Sequence, residues 1–257
     1  MKRFQIALAM LLTAGFLFFR TDAVQAKSFP PLPEALSAMN SDAAATVLPM
    51  KFPFFLVSPE YYVFAPVGET PTKGFLFFPG GKVDARAYAP AAHAIAAAGY
   101  LVVIVSMPFD LAPFGWKRGD LILRQFDWIT TWAVGGHSVG GAYACKFGKR
   151  YPSKVSGVVV WASTPSAAFS LDKTNIKAIA IYGSKDGSAE ELGQAAAGKF
   201  YPEGTPFVVI EGGNHTQCGY YDTAPDPVQP GDNPADISRQ EQQRQMIEAT
   251  VGFLDNL

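Results

Sequence analysis

The stretch Trp132–Ala144, WAVGGHSVGGAYA, constrains this chain more than any other, because it sets Ser138 between two glycine pairs. An apolar run, a Gly-His-Ser-Val-Gly turn and a helix opening on small residues read as strand, tight turn, helix. Such a nucleophile elbow lifts a serine hydroxyl clear of a sheet edge and holds it in a strained backbone conformation. The strain demands small neighbours, and Gly136, Gly140, Gly141 and Ala142 supply them. A plain Gly-rich strand–helix connection with a surface serine is the bland alternative. Phosphate-loop readings fail, since neither G-x-x-x-x-G-K-[ST] nor G-x-G-x-x-G occurs in this stretch.

The chain has 257 residues, 49% of them apolar, enough for one large core in a single domain. Its formal charge is −1, and without residues 1–26 it becomes slightly more acidic. No basic patch therefore points to a nucleic-acid partner. Lys2 and Arg3 followed by the apolar Phe4–Phe19 and a short polar stretch to Val24-Gln25-Ala26 read as a signal peptide over 1–26, cleaved after Ala26. The apolar run is short and polar-interrupted for a membrane span. An exported protein, periplasmic or secreted, is expected, with an uncleaved membrane anchor as the alternative. Residues 27–50 read as a leader lying over the surface, and residues 51–257 as one catalytic-type domain. The two cysteines, Cys145 and Cys218, fit no zinc motif and read as buried thiols, with a disulfide between them as the alternative. No metal or organic cofactor is implied.

From Tyr61 onward, short apolar runs alternate with helical segments. Tyr61–Ala65, Gly74–Phe78, Tyr100–Val105, Trp132–His137, Val155–Trp161, Ile176–Tyr182 and Thr205–Glu211 read as strands. Tyr88–Ala98, Asp120–Thr130, Gly140–Arg150, Ala189–Lys199 and Asp236–Leu257 read as helices, the last with Met246, Ile247, Val251 and Leu254 on one face. Strands apolar on both faces, alternating with helices, predict an α/β fold with a mostly parallel sheet covered on both sides. In such sheets sites lie beyond the carboxyl ends of the strands.

A serine hydroxyl needs a base to take its proton, and the chain has three histidines. His137 adjoins Ser138 in an extended strand and is expected to point away from it. His93 sits within an Ala-rich helix. His215 follows a strand and a Gly212-Gly213 loop able to bring an imidazole over the sheet edge, so it is the candidate base. Asp186, just beyond a strand in Gly183-Ser184-Lys185-Asp186-Gly187, is the candidate acid, with Asp172 and Glu211 as rivals. An oxyanion needs donors: the Val139 N–H at the helix start, and Gly81 in Pro79-Gly80-Gly81-Lys82, with Lys82 as the alternative. The order Ser138, Asp186, His215 is nucleophile, acid, base.

Together FFPGGKVDARAYAP, GYLVVIVSMP, GGHSVGGAYA, IYGSKDG and EGGNHTQCGYY resemble the α/β-hydrolase superfamily, specifically its compact bacterial fold-5 branch related to dienelactone-hydrolase-like proteins. The similarity spans about Phe52–Leu257 and departs at Pro79, where many relatives carry histidine. It implies an α/β-hydrolase fold with helices on both faces and little or no lid, since only residues 162–175 separate the two strands where lids insert. It implies Ser138, Asp186 and His215 as triad and Gly81 and Val139 as oxyanion donors. The expected function is a serine hydrolase, foremost a carboxylic-ester hydrolase working through an acyl-enzyme on a small ester or acyl substrate. An acyltransferase, a peptidase, or a non-catalytic binding protein on the same fold are the alternatives. Met107, Phe109, Phe114 and Trp161 read either as an acyl pocket or as core, and the Cys218–Pro234 loop with Tyr220 and Tyr221 as a pocket wall.

Overall fold

A computed structural model describes residues 28–52, 60–188 and 198–257. The segment read as a signal peptide and most of the helix expected at 189–199 lie outside these residues.

Eight strands form one sheet: β1 (Ala45–Lys51), β2 (Glu60–Pro66), β3 (Lys73–Phe78), β4 (Leu101–Val105), β5 (Thr131–His137), β6 (Gly157–Trp161), β7 (Lys177–Gly183) and β8 (Phe207–Ile210). Their order is β1-β2-β4-β3-β5-β6-β7-β8. β1 and β2 pair antiparallel with their neighbours, and the six others run parallel. The expected α/β fold is observed.

Residues inside the sheet alternate between two buried clusters, one on each face. Phe75, Phe77, Val102 and Ile104 join the first, while Leu76, Phe78, Leu101, Val103 and Val105 join the second. Helix α2 (Ala89–Ala97) covers the first face through Ala91, Ala92 and Ile95, aided by α6 (Arg239–Asp255) through Met246 and Leu254. Helix α4 (Arg118–Gln125) and helix α5 (Val139–Arg150) cover the second through Ile122, Leu123, Ala144 and Phe147. This double cover is why the strands read as continuous apolar runs.

The segment read as a leader does two different things. Phe29 and Pro31 bridge to Val83 and Tyr221, and the short helix α1 (Pro33–Ser37) follows on the surface. Its end is not a leader: Ala45–Lys51 is the edge strand β1, paired along its whole length with β2. Pro49 within it left the strand illegible in sequence, but an edge strand tolerates a missing N–H. The loop expected at Met107–Trp116 contains a 3-10 turn at Pro108–Asp110 and helix α3 (Ala112–Gly115). Between β6 and β7 lies only a 3-10 turn, Ala167–Phe169, so no lid inserts there.

Candidate active site

β3, β5, β7 and β8 run parallel, so the segments following them emerge on one rim. Those segments carry Gly81, Ser138, Asp186 and His215. Ser138 is the N-cap of α5 with φ 54 and ψ −126, a left-handed backbone that a serine adopts only under constraint. Its N–H is fixed by the Trp161 carbonyl at 3.0 Å. The constraint is steric. A Cβ on Gly140 would fall on the carbonyl oxygens of Phe78 and Pro79, and one on Gly136 would strike the Gly140 backbone.

Asp186 and His215 are both buried, and His215 Nδ1 lies 3.1 Å from each carboxylate oxygen. Donation from Nδ1–H leaves the Nε2 lone pair as the acceptor. Nε2 is buried and has no hydrogen-bond partner among the described residues. The His215 ring lies 4.5 Å from that of His137, the residue preceding Ser138. The structure thus brings the candidate base and the candidate acid together beside the strand end that bears Ser138. It does not join Ser138 Oγ to His215 Nε2 by a hydrogen bond. Such bonds are often open in unliganded sites.

Of the rivals, Glu211 is exposed, and Asp172 accepts from Ser170 Oγ at 2.6 Å. His93 meets Asp42 at 3.5 Å and the edge of Phe64. His137 is fully buried, with Nδ1 2.8 Å from the Tyr88 hydroxyl.

The candidate oxyanion donors lie side by side. A Cβ on Gly81 would sit 3.4 Å from Val139 Cγ2 and 3.6 Å from Leu111 Cδ2. Val139 N–H belongs to the first turn of α5, where amides lack intrahelical acceptors. The Lys82 amide, the alternative, is already given to the Asp110 carbonyl at 2.8 Å.

The four residues read as either acyl pocket or core divide between the two. Trp161 is 1% exposed and packs in the core, its Nε1–H donating to Thr250 Oγ1 at 3.1 Å, and Met107 is buried as well. Phe109 and Phe114 instead stand 69% and 63% exposed, edge to face at 5.7 Å. Tyr221 is buried beneath Phe29 rather than facing an open pocket. Both cysteines are free and buried, and burial pushes both thiols up.

Sequence reasoning missed what holds the histidine. Asp232 accepts from His215 N–H at 3.2 Å, Thr216 N–H at 2.7 Å and Thr216 Oγ at 2.6 Å. Gln242, on α6, pairs with both backbone groups of Asn214 at 2.9 and 2.7 Å. Gln242 and Thr250 fall on the same stripe as Met246 and Leu254, and polar residues on that apolar stripe were the available signal. Asp232, within a Pro- and Gly-rich loop, gave none. Among the described residues, no group of three or more His, Cys, Asp or Glu is placed to hold a metal, and no helix is long and apolar enough to cross a membrane.

Residues 74–244 match the family model described as the alpha/beta hydrolase family. No curated protein matches the chain. Among solved structures, it is similar to a dienelactone hydrolase from Anabaena variabilis, with TM-score 0.58 and 14% identity over 83% of this chain and 98% of that one. It is also similar to a hyperthermophilic esterase from the archaeon Pyrobaculum calidifontis, with TM-score 0.59 and 13% identity over 87% and 89%. At such identities the likeness speaks for the fold.

Proposed function

The chain belongs to the alpha/beta hydrolase family, and from that footing we propose that it is a serine hydrolase cleaving carboxylic esters. The observation that carries this reading is the buried His215 imidazole, held by Asp186 at 3.1 Å, its other nitrogen unpartnered among the described residues and its ring 4.5 Å from that of His137, the residue before the strained Ser138. That is the arrangement of a base whose tautomer is fixed and whose lone pair awaits a proton.

Ser138 Oγ attacks the ester carbonyl carbon while His215 Nε2 takes the hydroxyl proton. The carbonyl oxygen becomes an oxyanion accepting from the Gly81 and Val139 amides. The tetrahedral intermediate then expels the alcohol, which leaves with the proton from Nε2. Water, deprotonated by the same nitrogen, attacks the acyl-enzyme, and as the acid is released Nε2 returns that proton to the departing Ser138 Oγ. Asp186 keeps Nδ1–H donated and stabilises the transient imidazolium.

The rim beside the donors is apolar, with Leu111 and Val139 close to Gly81 and the exposed Phe109 and Phe114 on the loop that carries Leu111. With no lid between β6 and β7, this supports small or surface-presented acyl groups. The test is labelling by a fluorophosphonate probe together with turnover of p-nitrophenyl acetate. The wild type is expected to be labelled at Ser138, and Ser138→Ala and His215→Ala to lose about 10⁴-fold or more of turnover. Retained turnover in either variant overturns the assignment, and absence of labelling in the wild type favours a non-catalytic binding protein.

A further inference from the structure

Behind the Gly80–Gly81 turn lies a hydroxyl that the mechanism above does not use. Tyr88, ending the 3-10 turn Ala85–Tyr88, is buried. Its oxygen accepts the Gly80 N–H at 2.9 Å and lies 2.8 Å from His137 Nδ1. Burial raises the phenol's pKa, so it keeps its proton. A phenol already accepting from an amide still has that proton to donate, and His137 Nδ1 is the acceptor within reach. With the phenol donating, His137 would carry its own proton on Nε2, an atom that is buried and has no hydrogen-bond partner among the described residues. Burial first, and the neighbouring His215 second, hold His137 well below an ordinary imidazole, which keeps it neutral. The three groups meet only because residue 80 is glycine. A Cβ there would sit 2.7 Å from His137 Nδ1 and 2.8 Å from the Tyr88 oxygen.

The same hydroxyl bears on both halves of the site. In the turn, Gly80 N–H goes to Tyr88 and Lys82 N–H to the Asp110 carbonyl. The Gly81 N–H between them has no acceptor among the described residues. With both flanking amides tied, the middle one cannot rotate freely, so the turn offers one amide and always the same one. On the other side, His137 packs its ring 4.5 Å from that of His215.

We propose that Tyr88 is a positioning residue that couples the oxyanion turn to the base. Its hydroxyl ties the turn with Gly81 N–H left over, and it fixes the tautomer of the imidazole against which His215 rests. This inference rests on the serine-hydrolase reading.

Tyr88→Phe tests it by removing the hydroxyl and keeping the ring. The rate of fluorophosphonate labelling at Ser138 and the kcat for p-nitrophenyl acetate are expected to fall about 10- to 100-fold, below the roughly 10²- to 10³-fold loss of a whole oxyanion donor. KM is expected to stay within about twofold, a split that general loosening of the fold would not give. Nitrogen-15 NMR of the wild type at pH 7 supplies a readout independent of turnover. His137 is expected to show a protonated Nε2 and a hydrogen-bonded, unprotonated Nδ1, with the Nδ1 signal moving in Tyr88→Phe. A variant labelled at the wild-type rate overturns the coupling and leaves the serine-hydrolase reading standing. A wild type that takes no label removes both. Should Tyr88→Phe fail to fold, the wild-type spectrum decides, and a proton on His137 Nδ1 sinks the inference.

Discussion

Between Gly136 and Gly141 the chain keeps its shape through glycines that leave no room for a side chain, whereas between Asn214 and Gly219 it keeps its shape through side chains reaching in from elsewhere. At the elbow, backbone packs on backbone: Gly136 and Gly140 lie against each other and against the Phe78 carbonyl. At the histidine loop, Asp232 takes three donors from His215 and Thr216, Gln242 pairs with both backbone groups of Asn214, and Gln243 donates to the Gln217 carbonyl at 2.7 Å. Arg239 adds bonds to the Thr216 and Gly219 carbonyls. Ser138 is thus held by steric exclusion, which is short-range and stiff. His215 is held by a dispersed set of hydrogen bonds, each worth a modest amount.

The contrast fails first if a methyl can enter the elbow. Gly140→Ala drives a carbon onto two carbonyl oxygens that belong to the backbone and cannot swing aside. It is expected to abolish labelling by the fluorophosphonate probe and to cost at least about 3 kcal/mol, the upper end of ordinary overpacking. A labelled variant with the wild-type Tm would refute steric exclusion as the elbow's support.

The histidine loop should yield more gradually. Asp232→Ala strands four donors, the three above and the Gly187 N–H at 3.3 Å, and is expected to cost about 2–3 kcal/mol in urea unfolding, with a protein that still folds. Its kcat should fall at least about tenfold, because a displaced imidazole is a poor base. Unchanged kcat would mean that Asp186 alone sets His215. A smaller effect sharpens the contrast where the two regions touch. Unfolded His137 titrates near 6.5, and the fold holds it lower through burial and His215. The unfolded chain then binds the proton more readily, so this share of stability is complete above about pH 6.5 and is lost as pH falls toward the folded value. The slope is at most about 1.4 kcal/mol per pH unit for one proton. His137→Asn should therefore show a shallower fall of Tm from pH 7 to pH 5 than the wild type, and equal slopes would count against a neutral, buried His137.

The same contrast explains what was legible in the sequence. Gly136 and Gly140 pack on each other across four residues, so their spacing around Ser138 displayed the tight turn, although the Phe78 carbonyl they also meet is remote in sequence. Asp186 and His215 could be singled out as candidates because they follow strand ends, where parallel sheets carry their sites, and the structure places their side chains in contact. Tyr88, Asp232 and Gln242 act across the fold, on partners 8 to 49 residues away along the chain. Nothing local marks such residues. Trp161 was ambiguous for a related reason: its face of β6 is set by register, which places it with Val159 and Ile181 in the core. β1 was hidden by Pro49, a residue that argues against a central strand and says little about an edge.

Cys145 lies on the helix that begins at Ser138, and Cys218 lies in the turn that follows His215. Both are free and buried, so an alkylating reagent reaches either one only when the structure around it opens. The chain thereby carries a native opening sensor in each half of its site, and the modification rate at each sulfur, followed by mass spectrometry, clocks the breathing of that half separately.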